Sequence, residues 1–192
     1  MKLATVSERI HDMERFNFFL LLCTSIIAAV ISGDIYAGNR AGAMTISFGE
    51  GYYYFASNRQ IDNTGVPFLA FGYSLTDYWG IEGLVGVFNT PSRQADDNGQ
   101  QVNGSLLAMD TIYHFKPYKN ILEPFLLAGV GVLGLNPNGS DAHNQGNMNA
   151  GGGVQIFIHP SIAFRFDARD FYTFVGGKND IFVDAGMSFL FF

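Results

Sequence analysis

The chain has 192 residues, of which 48% are hydrophobic and only 15% are charged, and its formal net charge is −6. This balance argues against a nucleic-acid partner, because binding to phosphates requires clustered Lys and Arg. The 23 glycines, 19 phenylalanines and nine tyrosines favour many short strands over helices. The length suits one domain once a targeting segment is removed.

The first 37 residues have the order of a secretory signal peptide. Lys2, Arg9 and Arg15 precede an apolar stretch over residues 16–31, and a small-residue exit over 34–37 follows. We therefore expect residues 1–37 to form a signal-peptide helix that is cleaved from the mature protein.

Several features of this segment leave alternatives open. A start at Met13 would give a more compact signal, and the cleavage site after Ala37 is set only to within a few residues. A retained membrane anchor is the first competing interpretation, although the apolar run is shorter than about 18 residues and includes polar positions. A lipoprotein signal is the second, but Leu22 precedes the only cysteine, Cys23, where a small residue is required. Cleavage would leave a chain without thiols, which is compatible with an oxidising compartment.

Period-two alternation of side chains predicts β-strands after Gly38. It is clearest from Ile162 to Tyr172, where apolar residues alternate with Arg165, Asp167 and Arg169. We predict eight strands, over 43–56, 66–76, 79–90, 104–115, 121–134, 148–158, 162–173 and 181–191.

The first strand breaks this alternation at one position. Glu50 shares the parity of Ile46 and Phe48, which places a carboxylate on the apolar face. A β-bulge near Gly49 or Gly51 is expected to restore the alternation.

Longer polar connections alternate with short links along the chain. The longer ones lie at 57–65, 90–103, 135–147 and 174–180, and the links lie near 77–78, 116–120 and 160–161. Outer-membrane barrels have this arrangement, with long external loops and tight periplasmic turns. An even number of strands then places both termini on the periplasmic side.

The apolar face of these strands is expected to face lipid. A soluble barrel or sandwich, with Phe inward and the charges in water, is the competing interpretation. The lipid-facing arrangement is favoured because the opposite face mixes Gly, Ala, Ser and Asn with few charges, as a narrow lumen requires. Aromatic residues also cluster near strand ends, where interfacial girdles form: Tyr52, Tyr54, Trp79, Tyr113, Phe115 and Tyr172.

The fold class predicted for residues 38–192 is therefore all-β: a closed, eight-stranded, antiparallel, up-and-down transmembrane β-barrel in the bacterial outer membrane. Closure follows because every backbone N–H and C=O in lipid must be paired within the protein. The eighth strand should consequently pair with the first.

Three segments resemble the OmpA-type family of N-terminal barrels. They are Phe71–Glu82 (FGYSLTDYWGIE), Leu122–Phe125 leading into Ala128–Gly131, and Ala163–Asp170 (AFRFDARD). The likeness spans essentially the whole mature chain. Larger members of the family add a peptidoglycan-binding domain, which this chain is expected to lack.

The resemblance implies that inward charges form a network filling the lumen, with a gated ion path as the alternative. The candidates for this network are Glu82, Asp110, Arg165, Asp167, Arg169 and Asp184. It also implies that the terminal aromatics Phe189, Phe191 and Phe192 act as the signal read by the barrel-assembly machinery. The apolar parity ends at Phe191, one residue earlier than the family's usual pattern.

Three motifs have chemical interpretations that we weigh against simpler ones. Gly129–Gly134 matches the dinucleotide pattern G-x-G-x-x-G, but it lies inside a predicted strand, where glycines make room for bulky neighbours. His159-Pro160-Ser161 has the His-x-Ser spacing of lipid A deacylase barrels, but Ile162 replaces the family's Asn and the motif falls in a predicted turn. Asp96–Gly99 hints at a bound cation but lacks the other ligands of a calcium site.

The function expected from these features is that of a structural and interaction protein, in surface adhesion or envelope integrity. The alternatives are a lipid A-modifying enzyme and a small channel of low conductance. The expected partners are the lipid bilayer, lipopolysaccharide and, during insertion, the assembly machinery. The loops' partner is not predicted. A monomer without cofactor or metal is expected.

Overall fold

The computed structural model describes residues 38–93, 100–115, 121–137 and 143–192. The expected signal peptide, residues 1–37, and the Asp96–Gly99 motif lie outside these residues. The described part contains one short 3-10 helix, Ser57–Arg59, and no helix that is long and apolar enough to span a bilayer. The strands are β1 Met44–Tyr54, β2 Thr64–Ser74, β3 Trp79–Pro91, β4 Gln101–His114, β5 Leu122–Pro137, β6 His143–His159, β7 Ile162–Thr173 and β8 Lys178–Phe191.

These eight strands form one closed antiparallel barrel in which each strand pairs with the next along the chain. β8 returns to pair with β1, from Met44 opposite Phe191 to Tyr54 opposite Ile181. The predicted all-β class, strand number and closure are thus confirmed.

The barrel has two ends, which we name by their connections. The loop end carries the connections β1–β2, β3–β4, β5–β6 and β7–β8, and the turn end carries the other three. Several strands extend further towards the loop end than predicted; β6, for example, begins at His143 rather than at 148. The extensions contain Asn, Gln and Gly, which continue the backbone ladder without the apolar alternation by which strands are recognised.

The bulge expected in β1 is wrong. The pairing of β1 with β8 runs without a break from Met44 to Tyr54, so Glu50 stays on the outer face beside Phe48 and Tyr52. The neighbouring glycines face inward, where side chains would collide: a Cβ on Gly51 would lie 2.2 Å from the ring of Phe182. The only register shift within the barrel's pairings over the described residues lies between Phe157 and His159, at the turn end of β6.

The outer face is apolar and is edged by aromatic side chains at both ends. At the loop end, the ring centroids of Tyr52 and Tyr54 lie 4.9 Å apart. At the turn end, Tyr113 lies 4.9 Å from Trp79 and 5.0 Å from Phe115. The inner face holds the largest buried side chains, so the barrel's core is its lumen.

Candidate functional site in the barrel lumen

The middle of the lumen is crossed by a belt of six buried charges, which we call the charge belt. Each of its members is at most 4% exposed. They are the six residues expected in the lumen network: Glu82 on β3, Asp110 on β4, Arg165, Asp167 and Arg169 on β7, and Asp184 on β8. Alternation along β7 places Arg165, Asp167 and Arg169 on the inner face, while Phe166 between them is 45% exposed on the outer face.

Two arginines join most of the belt. Arg165 binds Glu82 through both terminal nitrogens and donates from Nε to Asp167 Oδ2 at 2.8 Å. Its guanidinium also lies over the ring of Phe125, 4.9 Å from the centroid. Because the guanidinium group of Arg165 is bonded to carboxylates on two sides, its orientation is fixed and its charge is neutralised.

Arg169 connects the remaining strands. It donates from Nε to Asp167 Oδ1 at 2.9 Å, from Nη1 to Asp110 Oδ2 at 2.7 Å and from Nη2 to Glu82 Oε1 at 3.1 Å. The belt thereby ties β3, β4 and β7 together across the lumen.

Asp184 lies in the belt but is bonded differently. It sits directly opposite Asp167 in the pairing of β7 with β8 and is 4% exposed. Neither of its carboxylate oxygens accepts a hydrogen bond from an arginine of the charge belt. Asp167, in contrast, accepts hydrogen bonds on both oxygens, so the two neighbouring carboxylates differ sharply in their stabilisation.

An apolar cluster fills the loop-end half of the lumen, above the charge belt. Tyr53 is fully buried at its centre, and the ring centroids of Phe171 and Phe182 each lie 6.0 Å from its own. The lumen therefore contains an apolar cluster of aromatic and aliphatic side chains in addition to the expected polar network. Other members of the cluster include Phe55, Phe68, Phe88, Leu84, Leu106 and Leu133.

Arg59 closes the loop end of the lumen. Its side chain reaches into the barrel mouth from the β1–β2 connection and is almost completely buried. It donates from Nε to Asp180 Oδ1 at 2.8 Å, from Nη2 to Thr173 Oγ1 at 2.6 Å and from Nη1 to Gln145 Oε1 at 2.7 Å. We call this set the mouth latch. It was not predicted; only the inward parity that Asp180 shares with Asp184 could have indicated it.

The turn end of the lumen is closed by a second polar group. His114 Nδ1 lies 2.7 Å from Glu123 Oε1, and both side chains are buried. The other oxygen of Glu123 accepts a hydrogen bond from the backbone N–H of Asn39 at 3.1 Å, and the Asn39 side chain bonds Ser74 Oγ at 2.5 Å. None of these residues was among the predicted site residues.

The predicted terminal signal lies on the last turn-end positions of β8 and beyond it. Phe189 stacks on Phe48 with ring centroids 5.7 Å apart, and Phe191 is exposed on the outer face. Phe192 is also exposed, with the Arg40 guanidinium 5.2 Å from its ring centroid.

The two described motifs with chemical interpretations, Gly129–Gly134 and His159–Ser161, occupy ordinary structural positions. Gly129 and Gly131 lie within β5, and a Cβ on Gly129 would lie 2.2 Å from Asp110 Oδ1, so the glycine makes room for the belt. His159 and Ser161 flank the β6–β7 turn, where His159 Nδ1 accepts a hydrogen bond from the backbone N–H of Ser161 at 3.2 Å. No group of three or more potential metal ligands is assembled within the described ranges.

Comparison with known proteins identifies a family. The sequence model of the OprF membrane domain matches residues 13–191. The chain is similar in structure to the N-terminal β-barrel of Pseudomonas aeruginosa OprF, with 18% identity, a TM-score of 0.59, and coverage of 79% of this chain and 98% of that one.

Two further solved barrels have the same fold. Pseudomonas aeruginosa OprG is 13% identical, with a TM-score of 0.65 over 80% of this chain and 98% of its own. The attachment invasion locus protein Ail of Yersinia pestis is 14% identical, with a TM-score of 0.53 over 79% of this chain and 99% of its own.

Proposed function

The chain belongs to the OprF membrane domain family and is a bacterial outer-membrane protein, and from this premise we propose that it is a plugged barrel that anchors external loops for surface adhesion or envelope integrity. The loop end then faces the cell exterior and the turn end faces the periplasm, as in barrels with long external loops and short periplasmic turns.

The observation that carries this proposal is the filling of the lumen along its whole length. The mouth latch, the apolar cluster, the charge belt and the His114–Glu123 pair follow one another from the loop end to the turn end. An eight-stranded barrel is just wide enough to hold its own side chains. A barrel whose lumen is filled in this way is better suited to anchoring loops than to conducting ions.

The loop end supplies the surface for contacts. The β1–β2 connection is held over the mouth by Arg59, and the exposed Arg93 of the β3–β4 connection is ion-paired with Asp62. One structural relative bears the name attachment invasion locus protein, which supports adhesion as the first role to test.

The test uses a strain that lacks the gene, complemented with the natural chain or with a variant whose β3–β4 connection is replaced by a short Gly-Ser turn. We expect the variant to remain in the outer membrane but to lose adhesion to cultured cells or to sensitise the envelope to detergent. If cells with the natural chain, the variant or no copy behave alike in both assays, the proposal is wrong.

Conductance and lipid A chemistry test the two alternatives. In planar bilayers the purified protein is expected to give no or only rare small conductance, and a robust open state would favour the channel. Replacement of His159 or Ser161 by Ala is expected to leave the mass spectrum of lipid A unchanged. Loss of a deacylated species would favour the enzyme.

Maturation and assembly are further parts of the proposal. Residues 1–37 act as the cleaved signal peptide, the barrel-assembly machinery reads Phe189, Phe191 and Phe192, and the mature barrel is a monomer in contact with lipid and lipopolysaccharide. Mass spectrometry of the mature N-terminus tests the first point, and an unprocessed N-terminus would contradict it.

A further inference from the structure

The lipid-facing wall carries a carboxylate, Glu50, among mostly apolar outward neighbours on β1 and β2. Glu50 is exposed on the outer face of β1, one outward position below Tyr52 of the aromatic edge. Charges on the lipid face of a barrel are destabilising in proportion to their depth. Ionisable residues at membrane depth are therefore retained for a function more often than for stability.

Glu50 is fitted into its surroundings. Its Oε1 lies 2.8 Å from the position that a Cβ on Gly65 would take, so the carboxylate leans over a residue without a side chain. Glu50, Gly65 and the small Ala185 line a shallow recess in the outer wall. Within the described residues, no side chain makes a hydrogen bond or ion pair with Glu50.

A second recess adjoins the first, at a gap in the backbone ladder. β2 and β3 both continue towards the loop end, yet their pairing stops at Phe68 opposite Gly86. Ser74 donates its N–H to Ala43, on the β1 side, so the odd-numbered residues of β2 direct their backbone groups towards β3.

Pro67 falls at the next position that would bond to β3, and it has no N–H to donate. It is also the residue that pairs with Glu50 across β1 and β2. The recess at this gap is apolar and is lined by Pro67, Phe68, Leu69, Val85, Gly86 and Val87. Phe68 belongs to the lumen cluster, so the gap brings that cluster to the lipid-facing surface.

The two recesses meet on β2, where Gly65 and Pro67 are successive outward positions about 7 Å apart. One recess offers an anionic group and the other offers an apolar trough. The strands supply no lysine or arginine to Glu50: Arg165 and Arg169 are buried in the lumen, and Lys178 lies at the loop end of β8.

We propose that the outer wall at β1, β2 and β3 is a binding site for a single-chain amphiphile with an ammonium head group, whose head pairs with Glu50 and whose chain lies in the gap beside Pro67. Removal of both charges from water makes such a pair stronger in the membrane than at the surface of a soluble protein. The site is separate from the loops, so it stands or falls independently of the proposed adhesive or envelope role.

The test is an NMR titration of the full mature barrel in bicelles with dodecylamine. Saturable shifts are expected in the backbone amides of Gly65, Leu69, Val85, Gly86 and Val87. Glu50→Gln should weaken this binding about tenfold, the usual effect of losing one charge-assisted contact. Asp170→Asn, which neutralises the other outward carboxylate, is the matched control and should leave the affinity unchanged.

Two comparisons separate the head from the chain. Dodecanol and laurate, which have the same chain length, are expected to bind more weakly than dodecylamine. Pro67→Val restores an N–H that can close the ladder and should remove the preference for dodecylamine over octylamine. Heat-modifiable migration on a gel verifies that each variant folds.

The proposal is overturned if dodecylamine shifts amides evenly around the barrel, as simple partitioning into lipid would do. It is also overturned if Glu50→Gln binds as the natural chain does, if dodecanol binds as tightly as dodecylamine, or if Pro67→Val retains the chain-length preference.

Discussion

At the scale of single residues, two neighbouring carboxyl groups in the lumen differ in their hydrogen-bond partners. Asp167 accepts hydrogen bonds from Arg165 Nε at 2.8 Å and from Arg169 Nε at 2.9 Å, whereas Asp184, its cross-strand neighbour, accepts from neither arginine. Burial of a charge is unfavourable unless hydrogen bonds and opposite charges offset it. Replacement of Asp by Asn should therefore change the free energy of unfolding differently at positions 167 and 184.

Asp167→Asn is expected to lower the free energy of unfolding by about 3 kcal/mol, because it leaves two buried arginines with fewer partners. Asp184→Asn is expected to be neutral or stabilising, because it replaces one of two facing carboxyl groups by a neutral amide and breaks no bond to either arginine. Urea unfolding of the barrel in lipid vesicles measures both. Equal destabilisation by the two variants would contradict this account of the belt.

Glycines beside the belt set a second limit at this scale. A Cβ on Gly129 would lie 2.1 Å from Met109 O and 2.2 Å from Asp110 Oδ1. Gly129→Ala should therefore destabilise the barrel by about 1–3 kcal/mol, as overpacking does. Gly83→Ala is the control, because the nearest atom to its Cβ is Ala108 O at 4.0 Å. The same unfolding assay applies, and a Gly129→Ala variant as stable as Gly83→Ala would refute the steric argument.

The sequence predicts which side chains of β7 face the lumen, because Arg and Asp alternate with Phe along the strand and the two sets differ strongly in polarity. The expectation that these charges join Glu82, Asp110 and Asp184 in one network rests instead on the resemblance to the OmpA-type barrels. Their bonding could not be predicted, since Asp167 and Asp184 have the same inward parity and differ only in which arginine nitrogens reach them. Glu50 is the opposite case: it shares the parity of Ile46 and Phe48, and the bulge expected to move it off their face is absent, so it lies outward.

At the scale of elements, the β1–β2 connection behaves as part of the core rather than as a free loop. Besides the mouth latch, Ala56 donates its N–H to Asp180 Oδ1 at 2.8 Å, and Phe55 packs in the apolar cluster. Local periodicity could not predict this arrangement, because Arg59 and Asp180 are 121 positions apart in the sequence. The sequence therefore predicts residues 57–65 only as one of the longer polar connections.

Arg59→Ala is expected to release this connection without opening the lumen, because the apolar cluster beneath it remains. Hydrogen exchange at the Ala56 amide should accelerate, and the connection should become sensitive to protease on whole cells. Conductance in planar bilayers should not rise. Arg93→Ala, which breaks an exposed pair with Asp62, is the control and should change neither exchange at Ala56 nor stability by more than about 0.5 kcal/mol. Unchanged exchange in Arg59→Ala would show that the latch does not hold the connection.

At the scale of the whole molecule, the closure of β1 on β8 decides whether the wall can exist in lipid, where unpaired strand edges are not tolerated. Closure was predictable from strand count and lipid exposure, since no other arrangement satisfies the backbone. Ser47 and Ser188 mark the seam on the inner face, where their hydroxyl oxygens lie 2.8 Å apart.

A double variant, Ser47→Cys with Ser188→Cys, should form a disulfide across this seam upon oxidation. After boiling in detergent, the oxidised form is expected to migrate differently from the reduced form, because a covalent ring restricts the unfolded chain. Each single variant is a control and should migrate like the natural protein. Failure of the double variant to cross-link in the folded barrel would argue against this register.

The β1–β8 seam pairs Ser47 with Ser188, which are 141 positions apart in the sequence. β1 can therefore pair with β8 only after the last strand has reached the barrel. Contacts of such long sequence separation form slowly. During that delay the outward side chains of Phe48 and Phe71 are not yet part of a completed wall. The arrival of the last strand is therefore expected to limit the rate at which the barrel closes.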